Sequence, residues 1–376
     1  FAYAWWARAN AQYRVNDMVA ANASIDRCLE AAPAATLCIL LRIRIEAREG
    51  RCEEMERDAR LVLAVENGGD YGYGHLANAL AGRGADRAAV EEAVRSRALA
   101  TRDPRQQQKV EVYDRAQVAV AFGDFVDAER QARSLEELVR NEPFVQDHVR
   151  WAVLLVEVLQ EVGETVRAGK VADGFLRRRA AWRSVAKRPN DDPMPLFLAA
   201  TERAGLRSRE ETSRDRAAWA AEWRTKLGPS GDEEIWVQEW ARPARTAREL
   251  TEAAKVIPDG ARSKTILPSP PGWLFPQGFS NAYGGRAQLE AGQPREATAT
   301  LASVAKHCGV LGDAISHRRS NLWLGQAYEA TGETAGACEA YRAVLRHWGR
   351  ARPRSVTAEA ARARVRALRC ERVGAR

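Results

Sequence analysis

The chain has 376 residues, 58 basic against 50 acidic side chains, a formal charge of +8, and 45% hydrophobic, 29% charged and 7% aromatic residues. That mixture suits amphipathic helices, and no apolar run is long enough to cross a bilayer, so a soluble chain with no membrane partner is predicted. The charge is uneven: from Arg342 onward eleven arginines meet only Glu359 and Glu371, which leaves the rest of the chain close to neutral.

Phe1 stands where an initiating Met would, and Ala2 to Tyr13 already reads as helix, which predicts a segment cut from a longer polypeptide with a cytoplasmic location by default. Six cysteines (Cys28, Cys38, Cys52, Cys308, Cys338 and Cys370) are sparse for this length and form no CxxC pair. Free, mostly buried thiols are expected; a bridge among the three C-terminal cysteines stays open if the segment lies outside the cytoplasm.

A repeat then appears. Glycine or asparagine, the residues that tolerate a left-handed turn between two helices, recurs at Asn16, Gly50, Gly84, Gly123, Gly163, Gly292 and Gly332, at intervals of 34, 34, 39, 40, 129 and 40 residues. Five positions after each turn stand Ala21, Met55, Ala89, Ala128, Ala168, Ala297 and Ala337; seven before it stand Ala9, Ile43, Ala77, Ala116, Val156, Gly285 and Gly325. Compact residues there let paired helices approach closely, the packing need of a tetratricopeptide hairpin.

The period is lost between Arg183 and Gly278, beginning at the Pro-rich break Arg188–Pro195. Composition still predicts helices over Leu196–Ala204, Glu210–Leu227, Glu233–Ala241 and Thr246–Val256, with Trp219/Trp223 and Trp236/Trp240 paired at i,i+4 as core. Ile257–Gln277 holds five prolines and reads as an extended connection, with Trp273 and Phe275 expected to cover the helices. The last hairpin is the most explicit, running Leu324-Gly325-Gln326-Ala327-Tyr328, then Gly332, Ala337 and Tyr341.

The search for chemistry is unproductive. His75, His148, His307, His317 and His347 include no i,i+4 pair of the kind a helical zinc site uses, and adjacent acids such as Glu53-Glu54 diverge on a helix. No catalytic residue, metal or cofactor is predicted. The inner face of stacked hairpins is the expected site instead. Six positions before each turn, Asn10, Arg44, Asn78, Gln117, Glu157, Arg286 and Gln326 are all polar or charged, and Tyr3, Trp6, Tyr13, Tyr71 and Tyr113 share that face. Amides and guanidinium groups there can hydrogen-bond an extended peptide while the aromatic rings supply apolar area. The competing reading is simply the wet side of each first helix.

Cys308 to Cys370 resembles the C-terminal tetratricopeptide segment of large serine/threonine protein kinases of myxobacteria, through Ser320 to Cys338, Tyr341 through Trp348-Gly349, and Arg352-Pro353-Arg354-Ser355-Val356-Thr357-Ala358. Asp192 to Ala200 and Trp219 to Trp223 fit the same family. The resemblance implies a regulatory or docking region with a kinase domain upstream; no glycine-rich phosphate loop, His-Arg-Asp or Asp-Phe-Gly kinase signature stands in this chain.

These readings converge on an all-α, tetratricopeptide-like α-solenoid, a right-handed superhelix of hairpins. Its expected parts are an array of about five hairpins over 1–182, an irregular helical insert with a Pro-rich loop over 183–278, and hairpins with an Arg-rich capping helix over 279–376. The expected function is protein interaction or sensing, with a protein or peptide as partner. A free-standing scaffold is the first alternative; nucleic-acid binding through Arg362, Arg364, Arg366, Arg369 and Arg372 is the second, weakened by the absence of interleaved aromatic residues.

Overall fold

The computed structural model describes residues 1–140, 145–179, 186–258 and 280–370. Among these residues the structure is helical without strands, apart from one isolated bridge between Asp124 and Arg352. No helix among them is long and apolar enough to cross a membrane. The chain forms two compact units, the first comprising Phe1–Val118 with Lys306–Ala314, the second most of the remainder from Ala119.

The first unit contains α1 (Ala2–Arg14), α2 (Met18–Ala31), α3 (Thr36–Glu49), α4 (Cys52–Val65), α5 (Asp70–Arg83), α6 (Arg87–Ala100) and most of α7 (Pro104–Ala121). The second contains α8 (Phe125–Val139), α9 (Val145–Glu161), α10 (Thr165–Leu176), α11 (Met194–Arg203), α12 (Arg209–Leu227), α13 (Asp232–Trp236), α14 (Ala247–Lys255), α15 (Ser280–Glu290), α16 (Pro294–Ala305), α17 (Ala314–Ala330), α18 (Thr334–Trp348) and α19 (Val356–Ala367). A π-turn over Val237–Ala241 follows α13.

All seven turn residues read from the repeat have the left-handed backbone, from φ 66° at Asn16 to φ 84° at Gly163. Each closes its helix with the same bond from the residue beyond the turn: Arg51 N–H donates to Glu46 O at 2.9 Å, Asp124 to Ala119 O at 2.8 Å, and Glu333 to Tyr328 O at 2.8 Å. This satisfies carbonyls that a helix end otherwise leaves orphaned. The flanking small residues are buried as the packing argument requires, with Ala9, Ala21, Ala116, Ala128, Ala297 and Ala337 all fully inaccessible; Ala89 is the exception, half-buried on α6. A Cβ at Gly285 would sit 2.7 Å from Leu301, and one at Gly325 would overlap the ring of Tyr341. The hairpins close so tightly that only glycine fits there.

The insert is more regular than its sequence period suggests. Gly205 adopts φ 70° between α11 and α12, and Leu206 N–H donates to Thr201 O at 2.9 Å, which makes an eighth turn of the same design. α10 packs on α11 with Gly169 facing Ala204. The four helices expected here are present with shifted ends, Ser208 and Thr246 closing capping boxes on α12 and α14. Trp219, Trp223 and Trp236 are core; Trp240 is only half-buried, beneath the Arg216 guanidinium at 3.8 Å. The proposed covering role of Trp273 and Phe275 falls outside the described residues.

The expectation of free thiols is overturned. Cys28–Cys38, Cys52–Cys308 and Cys338–Cys370 are disulfides, and no cysteine is free. Of the C-terminal three, Cys338 and Cys370 form the bridge that the sequence left open, whereas Cys308 finds Cys52 across a separation of 256 residues. Sequence distance conceals a Cα–Cα approach of 5.4 Å.

Candidate functional site

In the first unit two of the four candidate positions, Asn78 and Gln117, accept backbone N–H groups, and their partner is the chain itself. Lys306–Ala314, although flanked by chain of the second unit, belongs to the first. Cys308 N–H donates to Ala47 O at 2.9 Å at the end of α3, Leu311 N–H to the Asn78 carboxamide oxygen at 2.9 Å on α5, and Ala314 N–H to the Gln117 carboxamide oxygen at 3.2 Å on α7. Asn78 in turn donates to Gly74 O at 2.9 Å, which fixes its carboxamide orientation. Val310 and Leu311 are 1% and 6% exposed, so the segment docks by apolar burial as well as by backbone hydrogen bonds.

Two glycines make the crossing sterically feasible. A Cβ at Gly82 would lie 2.9 Å from Cys308 Cα, and one at Gly50 would lie 2.8 Å from Lys306 O. The disulfide to Cys52, the first residue of α4, fastens the segment. His307 accepts the Gly309 N–H at 2.9 Å, and burial together with the nearby Arg48 pushes its pKa down to about 4. It is neutral at physiological pH.

Other expected residues lie in the same unit. Arg44 lies close to the phenol groups of both Tyr13 and Tyr71, and burial lowers its pKa. His75 is held down to about 4 by burial and by Arg44 and Arg97. Tyr13 is buried in a core with Ala9, Ile25 and Ile45, against which Trp6 packs; Tyr3 lies exposed, 5.2 Å from Trp6 ring to ring. Tyr71 is 47% exposed, while Asn10 and Tyr113 are half-buried. Arg44, Tyr13 and Tyr71 are thus brought together, with Tyr71 the accessible member.

In the second unit Glu157 is not a groove residue facing solvent but the centre of a buried ion cluster. Its carboxylate takes hydrogen bonds from Arg245 at 2.7 Å, from Arg319, and from Tyr283 OH at 3.3 Å. One helical turn on, Glu161 accepts from Arg319 Nε at 2.8 Å, Ser355 Oγ at 2.6 Å and Thr357 N–H at 3.0 Å. Arg319 therefore bridges two carboxylates of α9. Burial alone would raise the Glu157 pKa, but Arg245, Arg319 and Arg242 together hold it down at about 2. A carboxylate so firmly ionised is a poor general acid or base at neutral pH.

Arg286 lies beside this cluster, donating to Ala244 O at 3.2 Å and sitting 4.9 Å over the Trp323 ring. Burial, with Arg245 and Arg319 close by, pushes its pKa down to about 9. Gln326 is half-buried on α17. Sequence reasoning missed Glu161, Arg319, Tyr283 and Arg245. The available signal was Glu157 inside the otherwise apolar run Trp151–Leu159 with Glu161 just beyond it at i,i+4, since two carboxylates sharing a buried face require cations from elsewhere.

At the basic C-terminus, Arg364 pairs with Glu329, Arg362 donates to Gly349 O, and Arg342 donates to Cys370 O. Part of the arginine excess is used in packing α19. No group of three or more metal-ligating side chains converges among the described residues.

No family model matches the chain, and no curated protein matches it. Sixteen chains of solved structure do. One is the tetratricopeptide domain of P58(IPK), 12% identical with a TM-score of 0.26, covering 100% of this chain and 99% of that one. Another is Naa15/Naa10 bound to HypK-THB, 13% identical with a TM-score of 0.26, covering 91% of this chain and 57% of that one. Neither likeness bears on function. The tetratricopeptide-like character rests on the left-handed turns and the buried small residues.

Proposed function

We propose that this chain is a non-catalytic, protein-binding scaffold that works in an oxidising compartment, in place of the cytoplasm expected from its sequence. The observation that carries the binding half is the way Asn78 and Gln117 hold Leu311 and Ala314: two carboxamides on this face accept backbone N–H groups of a short, turned segment of the chain itself. Arg44, which interacts electrostatically with Tyr13 and Tyr71, adds a cation, and Tyr71 adds accessible aromatic area, to the same unit. Peptide recognition uses this combination.

The three disulfides carry the compartment half, since reducing cytosol keeps such thiols apart. The test combines two measurements. A photo-cross-linking residue at Tyr71 or Tyr3 is expected to capture a partner that one at Arg57, exposed on α4, does not, and Arg44→Ala should diminish the yield. Equal labelling from all three positions would sink the binding reading. Alkylation of intact cells before lysis is expected to leave all six cysteines unmodified; full alkylation would return the protein to a reducing compartment.

A second reading draws on the kinase-like words of Cys308–Cys370: the scaffold serves as the regulatory region of a signalling protein, a partner on its face shifting the position of an attached effector. The codons preceding Phe1 decide it.

A further inference from the structure

Deepening the protein-binding reading above, and resting on it, we propose that the face formed by Ala47, Asn78 and Gln117 is a receptor for a short apolar turn segment of a partner protein, of the kind that Lys306–Ala314 makes around its 3-10 helix Val310–Gly312. Lys306–Ala314 is its resident occupant, and the Cys52–Cys308 disulfide is a thiol-operated latch on that occupant.

The chemistry of the contact is that of a bound peptide. Two of the three backbone N–H groups that anchor the strap go to side-chain carboxamides, at Leu311 and Ala314, three residues apart. Carboxamides read backbone whatever side chains it carries, so sequence selectivity is left to the sites that bury Val310 and Leu311. A partner segment must therefore make a comparable short turn, as Val310–Gly312 does in its 3-10 helix, present free N–H groups at i and i+3, and place aliphatic residues at i−1 and i. It must also pass Gly50 and Gly82, where there is no room for a Cβ.

The latch is asymmetric. Cys308 is fully buried, whereas Cys52 is partly exposed at the start of α4, so an incoming thiolate reaches the Cys52 sulfur. The reductant required is a dithiol protein of the Cys-Xaa-Xaa-Cys class. Its thiolate bonds to Cys52 Sγ, the Cys52–Cys308 bond breaks, and Cys308 leaves as a thiolate that takes a proton. The second thiol of the reductant then attacks the mixed disulfide and expels Cys52 as a thiol. Two electrons and two protons pass to the pair, and the reductant ends as a disulfide.

The test uses the full chain and, as probe, a fluorescein-labelled synthetic peptide of residues 306–314 carrying Cys308→Ser. Oxidised protein is expected not to bind it. The C52S/C308S protein should bind it saturably, and adding N78A and Q117A should weaken binding at least tenfold. In parallel, amide exchange at Leu311 and Ala314 should be at least tenfold faster in C52S/C308S than in the oxidised protein, with α1 and α2 unchanged; C28S/C38S should leave the strap protected. Should C52S/C308S fold poorly, exchange is followed in wild type after reduction.

Three outcomes overturn the proposal: no peptide binding to either form, equal binding to both, or loss of protection across the whole first unit together with the strap. The cross-linking experiment at Tyr71 asks whether a partner exists, and the peptide titration asks only whether the strap can be replaced, so the two fail separately.

Discussion

The Asn78 carboxamide oxygen accepts the Leu311 N–H at 2.9 Å, joining residues 233 positions apart in sequence. Asn78→Ala deletes the acceptor and leaves the N–H of buried Leu311 unpaired, which costs about 1–3 kcal/mol. Exchange of the Leu311 amide should accelerate while that of Ala314, held by Gln117, changes less. An unaltered Leu311 rate would show that the strap is held by Val310 and Leu311 burial alone.

Arg319 is the counter-ion of both Glu157 and Glu161, and the three are buried together. Arg319→Met would leave Glu161 without its cation and Glu157 with Arg245 as its remaining close one, and should cost about 3–5 kcal/mol. Glu157 also sets an acid limb. Its folded pKa of about 2 lies below the ordinary 4.5, so its contribution is present above pH 4.5 and lost as pH falls toward 2. That amounts to about 3 kcal/mol. Urea unfolding of Glu157→Gln should show lower stability at pH 7 but a shallower decline into acid; parallel curves would remove Glu157 from the account.

The turn glycines separate two costs. At Gly332, φ is 81° and nothing lies within 4 Å of an added Cβ, so Gly332→Ala pays only left-handed strain, about 1–2 kcal/mol. Gly325 is helical, and its added methyl would overlap the fully buried Tyr341, so Gly325→Ala should cost about 1–3 kcal/mol from overpacking. Gly50 combines a φ of 79° with Lys306 O at 2.8 Å and should be the most sensitive of the three. Chemical denaturation of the three variants gives the order, and Gly332→Ala as the worst would contradict it.

Why the turns were legible and the strap was not follows from range. A left-handed residue must be glycine or asparagine, a constraint written at one position, so Asn16, Gly50 and their counterparts stand out by spacing alone. Gly205 obeys the same rule but is displaced from the period by the Pro-rich break before α11, and it escapes notice. Asn78 and Gln117 were legible as backbone readers by type and position. Their ligand was not, because nothing local to Leu311 or Ala314 records which helix they meet. The same holds for Cys52 and Cys308 and for Glu161 and Arg319, where each residue is uninformative until the fold supplies the other.

The disulfides give a direct chemical count. With all six cysteines paired, the unreduced protein in denaturant should present no titratable thiol, and the reduced protein six. Proteolytic mapping should recover the Cys28–Cys38, Cys52–Cys308 and Cys338–Cys370 links and no others. Cys338→Ser with Cys370→Ser opens a loop of sequence separation 32 and should cost about 3–4 kcal/mol on the chain-entropy argument. Free thiols in freshly isolated protein would count against both the pairing and the oxidising compartment.

Glu46 gives stability an opposite dependence on pH. Its carboxylate is buried beside Asp58, one oxygen lacks a hydrogen bond, and Arg42 and Arg51 approach no closer than 4.0 and 3.8 Å, Arg42 being committed to Asp58. Burial first, and then the Asp58 charge, raise its pKa to about 7. A carboxyl raised in the folded state contributes stability that is fully present below pH 4.5 and lost as pH rises through 7. Glu46→Gln should therefore match wild type near pH 4.5 and exceed it at pH 8 by about 1 kcal/mol, a modest figure because solvent and both arginines screen the charge. Thermal unfolding of the two proteins between pH 5 and 8 measures the gap directly; a gap that stays constant with pH would mean that Glu46 is already ionised throughout and that its environment, not its proton, sets the difference.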